Sequence, residues 1–110
     1  MRHARKAAED GVDGLILVAA GAGGHAGMLS PFAIVREVKK WFDGTILLSG
    51  AIGDGFCVAS ALAMGADLAY IGSRFIATKE ANAEDEYKQM LVDSAADDIV
   101  YSSLFTGVHG

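Results

Sequence analysis

Three short stretches of this chain hold residues whose types and spacing could do chemistry. His25 stands inside the run Gly21-Ala22-Gly23-Gly24-His25-Ala26-Gly27. An imidazole is the side chain best suited to move a proton near neutral pH, and glycines on both sides let backbone and ligand approach closely. Gly50-Ala51-Ile52-Gly53 precedes Asp54, a residue fit to cap a helix, and Gly72-Ser73-Arg74 adds a hydroxyl and a guanidinium. Backbone N–H groups in such loops and at helix starts hold phosphate. The plain alternatives are a structural or surface histidine and simple chain turning. Two phosphate-like loops in succession outweigh either loop alone. Neither is a P-loop, since no lysine follows the glycines, and neither has the dinucleotide fingerprint. Arg74 can pair with phosphate or with a helix acid. His3 and His109 are expected at the surface, and Trp41 is expected to pack between helices.

The elements that must position these stretches follow from hydrophobic periodicity. Arg2 to Asp10 reads as a helix, with Gly11 where a left-handed C-terminal cap belongs. Leu15 to Ala20 is a continuous apolar run, so a strand over residues 14–20 is expected with both faces buried. Ser30 can cap a helix that has Pro31 in its first turn; Phe32, Val35, Val38 and Phe42 recur on it at helical spacing. Thr45 to Ser49 is a second strand. Asp54 then caps a helix over residues 55–64, rich in small residues, which Gly65 ends. Leu68 to Ile71 is a third strand, and Glu80 to Ser94 reads as a further helix with Ala83, Tyr87, Met90 and Leu91 on one face. Ile99-Val100-Tyr101 is a last short apolar piece. Strands joined by single helices are parallel with right-handed crossovers, so the class is α/β. Their starts at residues 14, 45 and 68 lie 31 and 23 residues apart, a spacing that fits barrel units as well as a small open sheet. The glycine stretches then all fall at the carboxyl ends of strands, where α/β folds bind ligands.

Composition narrows the function classes. The chain has 110 residues, 52% of them hydrophobic, and a formal net charge of −5, with mean hydropathy +0.32 and a pI of about 4.9. An acidic chain of this kind is a poor nucleic-acid binder. Its apolar runs fall well short of the roughly 18 residues a membrane helix needs, and no leader-like segment is present, so a cytoplasmic protein is expected. The single Cys57 suits a reducing compartment, reads as helix packing and leaves no thiol metal site; no metal is expected.

The motifs Gly23-Gly24-His25-Ala26-Gly27, Ser49-Gly50-Ala51-Ile52 and Ala61 through Phe75 with Glu80-Ala81 resemble the nitronate monooxygenase family, formerly called 2-nitropropane dioxygenases, in consistent order along essentially the whole chain. The resemblance implies an FMN-dependent TIM barrel with His25 as catalytic base. It also implies FMN contacts at Val18, Gly23, Gly24, Gly50, Ala51, Tyr70, Ile71, Gly72 and Ser73, with Tyr70 contributing its backbone. The implied reaction is oxidation of alkyl nitronates or nitroalkanes, such as propionate 3-nitronate, by O2 to a carbonyl compound and nitrite. A nitroalkane's α-proton is acidic enough for a neutral imidazole of suitable pKa to remove.

Three departures from the family's commoner pattern bear on this. Many members carry an acid where Gly21 stands, glycine where Ala51 stands, and threonine where Ser73 stands. Serine keeps the hydroxyl and alanine keeps the backbone N–H, but the missing acid leaves open what orients His25. A sibling branch, the flavin-dependent enoyl-acyl-carrier-protein reductases, and a non-catalytic barrel remnant are the alternatives. A full barrel takes about 250 residues, so residues 1–110 are expected to be one partial TIM (β/α)8 barrel domain made of late βα units. Its open edges would favour self-association, and alone it would bind FMN weakly and be inactive.

Overall fold

The computed structural model describes residues 1–24 and 26–108; His25, His109 and Gly110 lie outside the described residues. The elements run α1 (Arg2–Glu9), β1 (Gly14–Val18), α2 (Pro31–Val38), β2 (Thr45–Ser49), α3 (Gly55–Met64), β3 (Leu68–Tyr70), α4 (Ser73–Ile76) and α5 (Asp85–Asp93), followed by a 3-10 turn at Ala96–Asp98. The three strands form one sheet in the order β1-β2-β3, and both pairs are parallel, with Leu15 opposite Ile46, Leu17 opposite Leu48, and Leu48 opposite Ala69. This is the α/β arrangement of consecutive βα units in a partial TIM barrel.

Strand alternation divides the side chains between two faces. Leu15, Leu17, Ile46 and Leu48 point to one face and are buried, together with Ile34, Val35 and Val38 of α2, Phe42, Ala61 of α3, Ala19 and Ala66. Small residues at Ala61 and Ala66 let α3 and its exit lie close to the sheet. On the other face, Ile16 is 52% exposed, Leu68 54% and Tyr70 51%. The expectation of strands buried on both faces is therefore corrected: helices cover one face only, and no described element packs on the other.

Local chemistry accounts for the boundaries. Asp54 caps α3 by accepting from the Cys57 N–H at 2.9 Å, and Gly65 ends it in the left-handed conformation at φ 110°. Arg36 of α2 donates to the Met64 carbonyl at 3.2 Å, tying the two helices at that end. At the amino ends of the strands, the Asp67 carboxylate accepts from the Ile46 N–H at 2.8 Å while the Asp67 N–H donates to the Ile46 carbonyl at 2.8 Å. This bracket fixes the register of β2 and β3.

Several expectations are revised. Ser30 precedes α2 but makes no side-chain cap bond, and Phe32 is exposed while Val35, Val38 and Phe42 are buried. Ser73–Ile76 forms a short helix where none was expected, and the Thr78 hydroxyl donates to the Phe75 carbonyl at its end. The last helix therefore starts at Asp85 rather than at Glu80, and none of its residues is buried. Trp41 packs partly against the core, with the Arg5 guanidinium 4.5 Å from its ring centroid.

Candidate active site

The loop after β1 is closed at its base. The Ala19 N–H donates to the Ser49 carbonyl at 2.9 Å, continuing the ladder one step past β1, and the Ala20 N–H donates to the Leu29 carbonyl at 2.8 Å. Residues 21–28 thus leave and re-enter the sheet edge at one point. Gly21 and Gly24 turn the chain at φ 91° and 72°. Gly27 packs so tightly on the Val18 carbonyl that no side chain fits there. His25, the expected base, lies outside the described residues, but both flanks of its loop are pinned.

The loop after β2 meets the first loop directly. The Ala51 N–H donates to the Gly21 carbonyl at 3.0 Å, and a Cβ on Gly50, at φ 131°, would crowd the Ala19 and Ala20 carbonyls. The Ala51 N–H is thus already taken by the Gly21 carbonyl. Among the described residues no protein acceptor takes the N–H groups of Ile52 and Gly53. The loop after β3 reaches across: a Cβ on Gly23 would collide with the Ser73 hydroxyl oxygen, whereas Gly53, Gly55 and Gly72 face open space.

Val18, Ser49 and Tyr70 stand in one row across the ends of the three strands, on the face that no helix covers. Gly23, after β1, and Ser73, after β3, meet across that row, Gly50 and Ala51 follow Ser49, and Ile71 and Gly72 follow Tyr70. The positions singled out in the sequence, His25 apart, thus gather at one end of one sheet. Ser49 belongs to the second motif, which gives it no site role; the parallel register puts it between Val18 and Tyr70.

The electrostatics of this end are set by a few groups. Asp54 is held below its ordinary pKa, first by the hydrogen bonds from Cys57 and more weakly by the positive charge of Arg74. Among the described residues Arg74 forms no ion pair. Its guanidinium therefore lends positive potential to the strand ends without being consumed by a carboxylate. Glycine-rich loops at the carboxyl ends of consecutive parallel strands, with a hydroxyl and a cation beside them, define the ligand-binding end of an α/β barrel.

The protein class follows: a segment of a (β/α)8 barrel carrying part of its ligand face. The nitronate monooxygenase family model matches residues 1–109, and the chain belongs to that family. A nitronate monooxygenase of Paraburkholderia phytofirmans is 29% identical, over 97% of this chain and 32% of the relative. Among solved structures, FabK of Thermotoga maritima superposes with a TM-score of 0.86 at 31% identity, covering 97% of this chain and 34% of FabK. The nitroalkane oxidase of Streptomyces ansochromogenes superposes with a TM-score of 0.88 at 28% identity, covering 99% of this chain and 35% of the oxidase. The chain spans about a third of the length of these relatives.

Proposed function

We propose that residues 1–110 form one FMN-binding segment of a nitronate monooxygenase barrel that oxidises nitronates or nitroalkanes with O2. The observation that carries this reading is the convergence of the three glycine loops, with Gly21 against Ala51 and Gly23 against Ser73. The residues fit a phosphate-bearing cofactor: the glycines leave backbone approachable, the Ile52 and Gly53 amides are free among the described residues, and Ser73 and Arg74 add a hydroxyl and a positive charge. FMN, when bound, supplies the electron transfer to oxygen. Val18, Gly23, Gly24, Gly50, Ala51, Ile71, Gly72 and Ser73 would hold it, with Tyr70 contributing its backbone.

His25 takes the α-proton of a neutral nitroalkane, since an imidazole titrating near working pH is matched to that transfer. A preformed nitronate has already lost the proton and needs no base. In a chimera joining this chain to the preceding segment of the Paraburkholderia phytofirmans relative, His25→Asn should cut nitrite release from a neutral nitroalkane about 10²-fold or more, the usual scale of a lost general base. Release from the corresponding nitronate should change far less; equal loss on both removes His25 from the base role.

A second reading rests on Gly21, which stands where nitronate-oxidising members commonly carry an acid. It is a flavin-dependent enoyl-acyl-carrier-protein reductase. Nitrite release from propionate 3-nitronate, set against NAD(P)H consumption with an enoyl thioester, separates the two. We further place the protein in the cytoplasm, on its single unpaired Cys57, and expect the uncovered sheet face to drive self-association of this chain. No helix of the described residues is long and apolar enough to cross a membrane.

A further inference from the structure

We propose, independently of the flavin reading, that the outward side of α3 and the groove beside it form a two-fold interface with a second copy of this chain. The helix α3 (Gly55–Met64) carries no charged side chain. A helix that is apolar all round belongs under cover on every side, yet only the inner side of α3 is covered: Ala61 is buried, whereas Phe56, Ala59, Ser60, Leu62 and Ala63 are exposed. Phe56 is 85% exposed and Phe32 of α2 67%. Between the two helices runs an open groove of about 410 Å³, with Phe32 and Arg36 on one side and Ser60, Ala63 and Met64 on the other. It is amply large enough to take a phenyl ring.

The two ends of this surface are complementary to each other, which selects a second copy as the occupant. Phe56 lies one turn before Ser60 on the same side of α3 and projects at the amino end, while the groove opens toward the carboxyl end beside Ala63 and Met64. Roughly two turns, about 12 Å, separate knob from hole. Charge follows the same division. Asp54, just before α3, is exposed; at the far end Arg36 Nη1 and Lys39 Cε stand 3.2 and 3.5 Å from where a Cβ on Gly65 would lie. Among the described residues none of these three is in an ion pair. Two α3 helices packed antiparallel about an axis near Ser60 therefore seat each Phe56 in the other copy's groove and bring each Asp54 to the other copy's Arg36 and Lys39. One patch thus completes itself, as an isologous interface must. Parallel packing would set ring against ring and leave both grooves empty. The open sheet face lies on the other side of the sheet from α3 and takes no part.

The test uses the full chain carrying Leu68→Lys, which silences the open sheet face, and Cys57→Ser, which removes the native thiol. Light scattering over a concentration series should approach twice the monomer mass. Phe56→Ala removes the knob and should raise the dimer dissociation constant at least about tenfold, the effect of losing a central aromatic anchor. Lys39→Glu should weaken the dimer by less, and raised salt should narrow that difference, because the charges lie at the solvent-exposed margin. Ser60→Cys, at the axis, should cross-link to a covalent dimer on mild oxidation, whereas Leu62→Cys, exposed but turned away from the axis, should not. A monomeric mass at every concentration, undiminished association of Phe56→Ala, or cross-linking of Leu62→Cys as readily as Ser60→Cys overturns the interface. Should Phe56→Ala lose its helical circular dichroism, the contrast between the two cysteine variants decides alone.

Discussion

The two faces of the sheet are built from the same kind of residue and meet opposite fates. Ile46 and Leu48, on the side covered by α2 and α3, are 0% and 1% exposed, whereas Ile16 and Leu68 on the other side are 52% and 54% exposed. Apolar residues on both faces are the mark of a parallel strand meant to be covered twice. The uncovered rows, Ile16-Leu47-Leu68 and Val18-Ser49-Tyr70, have the alternation of side chains that fill a barrel's interior in layers. The difference teaches that the helix side carries the folding free energy, while the open side and the loops above it are left for the ligand end proposed above.

The comparison is broken most severely in the core. Ile46→Ala removes a fully buried side chain and should cost about 2–5 kcal/mol. Ile16→Ala, half exposed on the open face, should stay within about 0.5 kcal/mol. Urea denaturation of both variants measures the contrast, and equal losses would show that something covers the open face in solution. A charge sharpens the same point: Leu68→Lys should leave the secondary structure intact and reduce the apparent mass seen by light scattering, because it breaks an exposed apolar surface that favours association. An unchanged mass would place any self-association elsewhere.

The smallest expected effect lies at the start of α3. The folded-state pKa of Asp54 is lowered from its ordinary 3.8, chiefly by the Cys57 backbone hydrogen bond. A lowered carboxylate pKa stabilises the fold above the unfolded-state value, and that contribution disappears as pH falls through the folded-state value. Asp54→Ala should therefore lower the melting temperature modestly at pH 7, by loss of the cap. The gap from wild type should close as pH drops below 3.8. A gap that persists into acid would mean that the carboxylate's charge is not what caps the helix.

Much of this arrangement is legible in sequence because it rests on local chemistry. Asp54 and Gly65 bracket α3 as a cap and a left-handed stop, and three apolar runs separated by single helices give parallel neighbours in chain order. What is not legible depends on partners far along the chain. The acids from Glu80 to Glu86 resemble a helix start, but the short helix at Ser73–Ile76 uses the chain after β3 first, and only Asp85 and Glu86 stand in the first turn. That the Ala51 amide is committed to Gly21, thirty residues earlier, follows from loop convergence and from no local pattern. The helix-side and open-face residues of β1 look alike in sequence, since alternation fixes which side chains share a face and says nothing of what covers it. The gathering of Val18, Ser49 and Tyr70 likewise follows from register alone.

The central claim is that the strand ends of this chain hold the phosphate-bearing side of FMN. The most direct measurement is a fluorescence titration of the purified chain with FMN and, in parallel, with riboflavin, which has the same ring and no phosphate. Loops that grip the phosphate through the Ile52 and Gly53 amides, Ser73 and Arg74 should quench FMN with weak, saturable affinity that inorganic phosphate competes away, and should bind riboflavin at least about tenfold more weakly, a difference of roughly 1.4 kcal/mol. Equal binding of both flavins, or none of either, would contradict the assignment.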